Sequence, residues 1–554
     1  MHKTMIGFTL GVAGVLLGVC AHSAVVTTPP DTAQPNILLI VLDDLGYSDL
    51  GFNGSEIRTP HIDGLAASGV FLSNFYASAT CSPTRAALMT GVDPHTAGLG
   101  TMAAARADER LGSPGFEGYL NDRVMPIAQL LRDAGYHTSI AGKWHLGAAD
   151  GQRPESKGFD RSFALMGGGA SHFADASGLV VFERGADYFE DGVAVDELPA
   201  DFYSSTFYTN RALDYIGAAQ RARKPFFSYV AYTAPHWPLQ VPDADLDLYA
   251  GVYDEGYEVL LHHRVAAMRR RGLVPLDSGV APAPAHLQPW AGMNAQERAE
   301  HSREMEIYAA MIERVDREIG RLLAALERDG ELRNTLVILL SDNGPEGNDI
   351  GQLPMNRLWI PLAFDNDLDN IGRVKSYTWT GPGWALASSG PFRLYKTFAS
   401  EGGIRVPAVV SWPARIPAQR RLDGIASVTD LVATLLDYAG AESPGPEFAP
   451  LDGQSLRGYL EGSTQASPRT TYASELFGRH SIRMGAWKAL WLYPPFGSGD
   501  WQLYNLDEDP GETHDLAVQQ PARLKTMVAA WETWRKQQGF TLPSQEIAYG
   551  LPAK

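Results

Sequence analysis

Cysteine is nearly absent: the 554 residues hold two, Cys20 and Cys81. Cys20 closes an apolar stretch that begins near Met5, follows a single Lys3 and precedes the small residues Ser23 and Ala24. This pattern predicts a secretory signal peptide over residues 1–24, too short and wrongly flanked for a membrane anchor. Val19 is a poor small-residue neighbour for lipidation at Cys20. No Arg-Arg pair stands near Lys3, which favours a Sec-type route. Loss of the leader leaves Cys81 alone and excludes an intramolecular disulfide. An oxidising compartment ordinarily keeps thiols paired or does without them, so Cys81 is buried and inert, reactive, or no longer a cysteine.

Positive charge is also scarce. Lys and Arg total 46 against 64 Asp and Glu, a net charge of -18. That excludes nucleic acid as the main partner, because a phosphate-binding face needs clustered cations. An anion can still bind where a few positive groups converge. No stable membrane span is expected. The length suits one large α/β domain with an appendage, or two domains.

PNILLIVLDDLG (35–46) is an apolar, branched run stopped by two Asp and a Gly, the pattern of a buried parallel strand with its polar end at the carboxyl edge. VMPIAQLLRDAGYHTSIAGKWHLG (124–147) reads as helix, Gly135 stop and strand. The unit recurs over 211–238 and over 304–344, where Tyr308, Met311, Ile312, Val315, Ile319, Leu322, Leu323 and Leu326 keep one helical face apolar before TLVILL. Alternation of this kind predicts a mostly parallel sheet covered by helices. The stretches 253–300 and 346–390 show weak periodicity and read as long loops at the rim of a site. From about Thr464 short strands replace the alternation. We therefore expect a domain over 35–463 and a C-terminal subdomain over 464–554 built on a small antiparallel sheet.

Ligands of an open parallel sheet bind beyond the carboxyl ends of its strands. The polar residues expected at those ends are Asp43 and Asp44, Lys143 and His145, His236, then Asp342 and Asn343. Asp43, Asp44, Asp342 and Asn343 offer only oxygen, which suits a hard divalent cation, Ca²⁺ or Mg²⁺, and not Zn²⁺. A single Asp after a strand is more often a turn residue; two such clusters on one sheet point to a metal. Ser82-Pro83 is a favourable helix start. It sets Cys81 at the positive end of a helix, with Arg85 one turn on. Nucleophile, oxygen-liganded metal, Arg, Lys and two His together describe a site for attack on a tetrahedral oxyanion ester. Trp237, Trp379 and Trp384 either line an aromatic pocket or serve as packing. Asn53-Gly54-Ser55 matches the glycosylation pattern, a weak signal.

CSPTRAALMTG (81–91) followed by AGKWHLG (141–147) resembles the two signatures of the type I sulfatases, members of the alkaline phosphatase superfamily. The resemblance continues through SDNG, LYKTFASEGGIRVP and WQLYNLDEDPGETHDL and so covers nearly all of the mature chain. FYSSTFYTNRALDYI and APHWPLQVP are most similar to bacterial arylsulfatases, which implies small aryl or alkyl sulfate esters and a bacterial periplasm. The family implies an alkaline phosphatase-like α/β fold, one Ca²⁺ and oxidation of Cys81 to Cα-formylglycine by a sulfatase-maturing enzyme that reads Pro83 and Arg85. Carried over to this sequence, hydrated formylglycine at 81 attacks sulfur, Arg85 and Lys143 stabilise the hydrate, and Asp342 accepts its proton. Asp43, Asp44, Asp342, Asn343 and residue 81 hold the metal. Lys396 and His236 contact the sulfate, His236 protonates the leaving oxygen, and His145 deprotonates the second hydroxyl.

Two other functions fit the same residues. A phosphonate or phosphate ester hydrolase could use the same site, although the serine or threonine nucleophile and two-zinc set of alkaline phosphatase are not found. A non-catalytic protein could hold sulfated ligands through the same cations.

Overall fold

The structure, a computed structural model, describes residues 1, 2, 7, 34–105, 107–179, 185–352, 355–547 and 549. The leader read over residues 1–24, apart from Met1, His2 and Gly7, and with it Cys20, lies outside the described residues. Among the described residues no helix is long and apolar enough to cross a membrane.

In chain order the strands are β1 Asn36–Leu42, β2 Val70–Tyr76, β3 His137–Lys143, β4 Arg161–Leu165, β5 Tyr188–Glu190, β6 Val193–Ala194, β7 Phe226–Ala231, β8 Thr335–Ser341, β9 Arg405–Ser411, β10 Arg420–Leu422 and β11 Ala426–Ser427, followed by β12 Thr471–Leu476, β13 Arg479–Met484, β14 Trp487–Trp491 and β15 Gln502–Asn505. The first eleven form one sheet in the order β10, β2, β9, β8, β1, β7, β3, β4, β5, β6, with β11 also on β2; the last four form a separate antiparallel sheet. The central strands β8, β1, β7, β3 and β4 are all parallel. This is the mostly parallel sheet that the helix-to-strand alternation predicts.

β1 is buried along its whole length because both faces are covered. Leu38, Ile40 and Leu42 enter one apolar cluster with Met311, Ile312, Val315 and Ile319 of the Ala295–Arg328 helix. Ile37, Leu39 and Val41 enter the other, with Leu88 and Met89 of the Cys81–Thr90 helix and Leu431 and Leu435 of the Val428–Ala439 helix. The period of two along the strand divides one apolar run between two layers of helices.

β9 runs antiparallel to both β8 and β2. Its beginning therefore lies at the edge where β8 and β1 end, and the chain before it, 393–404, enters from that side. Burial on both faces looks alike in either direction, so the sequence pattern does not mark this reversal.

The stretches read as rim loops contain helices. Tyr257–Arg270 buries Tyr257, Leu260, Val265 and Met268, but the same face carries Arg264, whose guanidinium is paired with Asp49 at 2.5 Å and Glu56 at 2.7 Å. A buried charge on the apolar stripe hides the helical period. Gly381–Ser389 is buried on nearly every side and has no polar face to mark a period. Trp384, on that helix, packs among Tyr253, Tyr257 and Trp290 and donates its Nε1–H to His301 O at 2.9 Å. It belongs to the core.

Candidate active site

The strand registers bring the predicted residues to one level. Leu42 pairs with Ser341, and Ala231 pairs with both Val41 and Gly142. Asp43, Asp342, Lys143 and the loop to His236 therefore leave the sheet side by side. β2, parallel to β1 with β9 and β8 between them, delivers the Cys81–Thr90 helix to the same edge, and every residue of that helix is buried.

Charges of opposite sign interlock there. Arg85 places Nε and Nη2 at 3.0 and 2.7 Å from Asp342 Oδ2, and its Nη1 donates to Lys143 O at 3.0 Å and Tyr229 Oη at 3.2 Å. Lys143 Nζ is 2.6 Å from Asp43 Oδ2. Lys396 Nζ is 2.7 Å from Asp44 Oδ1 and 3.3 Å from Glu346 Oε2. His236 donates from Nδ1 to Trp237 O at 2.6 Å, while its Nε2 stands 3.6 Å from Asp44 Oδ2. Asn343 donates Nδ2–H to Asp44 Oδ1 at 2.6 Å and to Gly344 O at 2.8 Å. Cys81 Sγ is 3.2 Å from His145 Nδ1.

Burial dominates the electrostatics. It pushes Asp43 up to about 8, aided by Asp342 and opposed by Lys143 and Arg85. It pushes Asp44 up to about 6 against the pull of Lys396. Burial acts the same way on Asp342, but Arg85, Lys143 and Lys396 outweigh it and hold that carboxyl below its ordinary value. Burial, then the neighbouring cations, hold His145 and His236 well below the usual imidazole range, so both are neutral. Burial also raises the Cys81 thiol. A protonated, enclosed thiol is a poor nucleophile.

The oxygen set fits a hard cation. Asp43 Oδ1 and Asn343 Oδ1 are buried and have no hydrogen-bond partner, a costly state for polar atoms. Burial, with Asp342 acting on Asp43 and Glu346 on Asp44, raises both carboxyls, and a bound cation would lower them. Asp43, Asp44 and His236 also offer ligand atoms within 4.8 Å of one another, which adds a nitrogen that the sequence reading assigned to substrate alone.

Three residues at the site hold left-handed backbone: Asp44 at φ 67°, His145 at φ 57° and Thr397 at φ 73°. The conformation is uncommon for non-glycine residues and an outlier for a β-branched one; such positions cluster at functional sites. Sequence reasoning missed Glu346, although it stands four residues after Asp342 on the same loop. It also missed Gly168 and Gly169. A Cβ on Gly168 would come within 3.0 Å of the His145 ring and one on Gly169 within 3.1 Å of His236 Nδ1, so the bare backbone of this loop faces both imidazoles. The run Gly167-Gly168-Gly169 was the available signal.

Comparisons with known proteins agree with this arrangement. The Sulfatase family profile matches residues 35–441, and the profile for the N-sulphoglucosamine sulphohydrolase C-terminal region matches 390–533. An uncharacterized sulfatase of Schizosaccharomyces pombe is 38% identical, covering 95% of this chain and 98% of its own. An arylsulfatase of Klebsiella aerogenes is also 38% identical, over 74% of this chain and 87% of its own. Among solved structures, Ps i-CgsB in complex with k-i-k-neocarrahexaose superposes with a TM-score of 0.67 at 28% identity, covering 93% of this chain and 95% of that one. The matched profile spans every strand end from Asp43 to Lys396, and the chain belongs to the sulfatase family.

Proposed function

We propose that this sulfatase hydrolyses aryl or small alkyl sulfate monoesters through a formylglycine formed from Cys81, with one Ca²⁺ held by Asp43, Asp44, Asp342, Asn343 and residue 81. The observation that carries the reading is the position of Cys81. It opens a buried helix with its Sγ 3.2 Å from His145 Nδ1, at the edge that gathers Arg85, Lys143 and Lys396 and the unpartnered side-chain oxygens of Asp43 and Asn343. A thiol raised by burial is idle there, whereas an aldehyde made by a maturing enzyme supplies, once hydrated, two hydroxyls, and Ca²⁺ supplies charge against the repulsion of the ester anion.

The remaining chemistry belongs to the chain. Arg85 and Lys143 lie against the inner carboxylates and stabilise negative charge on residue 81. Asp342, kept ionised by Arg85, accepts a proton from it. Neutral His145, whose Nδ1 faces residue 81, takes the proton of the second hydroxyl. His236 commits Nδ1–H to Trp237 O, so its Nε2 protonates the leaving oxygen once the imidazole has taken up a second proton from solvent beside the bound ester anion. Lys396, which burial disfavours but Asp44 and Glu346 keep charged, contacts the sulfate. Beside His236 stand Trp237, Tyr377, Trp359 and Trp379 in one apolar cluster, a surrounding suited to an aromatic or alkyl group.

Sugar sulfates are a second reading. Relatives at 28% identity include N-acetylgalactosamine-6-sulfatase of dog, and the structural neighbour Ps i-CgsB was solved with an oligosaccharide. We further propose export through the N-terminal leader, and a boundary near 464 between catalytic domain and C-terminal subdomain. Equal identity to a yeast and a bacterial relative removes the ground for a specifically bacterial periplasm.

Peptide mass spectrometry of the Cys81 fragment, with assay of 4-nitrophenyl sulfate and a 6-O-sulfated monosaccharide, tests the proposal. An aldehyde or hydrate mass with preferred turnover of the aryl ester supports it. An unmodified thiol in fully active protein refutes the formylglycine route, and preference for the sugar ester moves the assignment to the second reading.

A further inference from the structure

The chain that follows the Pro521–Gln538 helix returns to the catalytic centre. Thr541 O accepts from Arg110 Nη1 at 3.0 Å, and the Ser544 amide and hydroxyl donate to Glu109 at 2.7 and 3.0 Å. Glu546 Oε1 is 3.4 Å from Arg479 Nη2. Three polar anchors within six residues bind this strap to the body of the protein.

Beyond the anchors the strap turns apolar. Ile547 is buried in the cluster that contains Cys81, Met102, Ile404 and Leu476. Tyr549 packs against the same cluster, its ring 6.1 Å from that of Phe477 and inclined by 30°. The ring is half-buried. After burial, the charges that its hydroxyl feels most are Glu346, Lys396, Cys81 and Asp44, all of them groups of the site. Burial and Glu346 raise the phenol above its ordinary value.

We propose that the strap of residues 541–547 forms one wall of the substrate pocket together with Tyr549, and that Tyr549 contacts the leaving group of the ester, its ring selecting an aromatic alcohol. The inference rests on the reading of Cys81 as the centre of sulfate ester hydrolysis. The sulfate end is held by cations on the sheet edge and the Cys81–Thr90 helix. The strap comes from another part of the chain and brings an aromatic face beside residue 81, where the ester oxygen and its substituent have to emerge. Aromatic pairs add specificity beyond area burial, by an amount that corresponds to roughly three- to tenfold in affinity.

The test uses the full chain with Cys81→Ala, which binds without turnover, titrated calorimetrically with 4-nitrophenyl sulfate and separately with inorganic sulfate. Adding Tyr549→Ala should weaken the aryl ester roughly three- to tenfold and leave inorganic sulfate unchanged, while Tyr549→Phe retains both affinities. Tyr549→Leu keeps apolar bulk in the cluster and carries the same comparison if the alanine variant does not fold; it should behave as alanine does. Equal weakening of both ligands, unchanged binding of the aryl ester, or binding of neither overturns the strap's role. Sulfate release by the unsubstituted protein is scored separately: its absence refutes the hydrolase, whereas the affinity ratio alone decides the strap.

Discussion

Arg479 donates two hydrogen bonds to Thr397, from Nη1 to the carbonyl at 2.9 Å and to Oγ1 at 3.0 Å. Thr397 is the β-branched residue at φ 73°, directly after Lys396. Arg479 belongs to β13 of the small sheet, is fully buried, and stacks on Phe398 at 4.1 Å. The small sheet thus fixes the strained backbone that carries Lys396 to Asp44.

Arg479→Ala should destabilise the protein by about 1–3 kcal/mol, the cost of leaving buried acceptors unpaired. It should also raise KM for the sulfate ester more than it lowers kcat, because Lys396 loses its support. Arg479→Lys restores neither, since an ammonium cannot span both Thr397 oxygens and the Phe398 ring in one plane. Unchanged kinetics in a destabilised Arg479→Ala protein would confine the residue to a structural role.

Removal of metal by a chelator should abolish sulfate release and lower the unfolding temperature together, because Asp43, Asp44 and Asp342 then have only Lys143, Lys396 and Arg85 to offset their mutual repulsion. Calcium restored at a hundredfold over its Kd adds about 2.7 kcal/mol. Asn343→Ala should lose most of that calcium-dependent shift in a calorimetric scan. A shift of full size in the variant would remove Asn343 from the metal set.

His145→Ala should lower kcat by about 10²- to 10⁴-fold, the usual contribution of a positioned base, with a much smaller change in KM. Steady-state assay of fully modified protein measures this. A change confined to KM would show that His145 binds substrate and does not move a proton.

Two histidines away from the chemistry set opposite limits on stability with pH. Burial alone would lower His95, but Asp93 at 2.8 Å and Glu475 at 3.0 Å raise it to about 9. Its contribution is complete below its ordinary value of 6.5 and is lost as pH rises through 9. His480, buried between Trp491 and Trp531, is lowered to about 4. Its contribution is complete above 6.5 and fades as pH falls toward 4. Denaturant titrations should therefore show His95→Gln reducing the loss of stability between pH 6.5 and 9 while leaving the acid limb unchanged. An unaltered alkaline limb in that variant would show that His95 is not the group responsible.

A sulfate and a phosphate ester of the same phenol, assayed side by side, separate the sulfatase from a phosphate-type hydrolase on this site. Faster turnover of the sulfate is expected. Preference for the phosphate reverses the assignment of substrate within the superfamily.

The ends of β1 and β8 were readable because each combines a branched apolar run with a polar stop, those of β3 and β7 because a helical period before them gives way to an extended one, and the helix at Cys81 because Ser-Pro opens it. Asp43, Lys143, His236 and Asp342 could therefore be placed on one edge from local pattern alone. Glu346, Arg479 and Tyr549 could not. Each meets its neighbours across segments far apart in the chain, and no local period marks such a residue. Tyr257–Arg270 failed for the opposite reason: Arg264 interrupts its apolar stripe, and only its pairing with Asp49 and Glu56 makes that burial tolerable.

By itself the sequence determined the alternation of helix and strand, the set of polar strand ends and the solitary cysteine at a helix start, since all of these follow from periodicities of two to four residues. Tertiary structure alone decided which charges meet. Lys143 is 100 residues from Asp43, Arg85 is 257 from Asp342 and Lys396 is 352 from Asp44. Those pairings, and the pKa shifts they produce, arise when the parallel registers of β8, β1, β7 and β3 and the antiparallel entry of β9 carry the groups into one water-poor volume, where burial makes each charge depend on its neighbours.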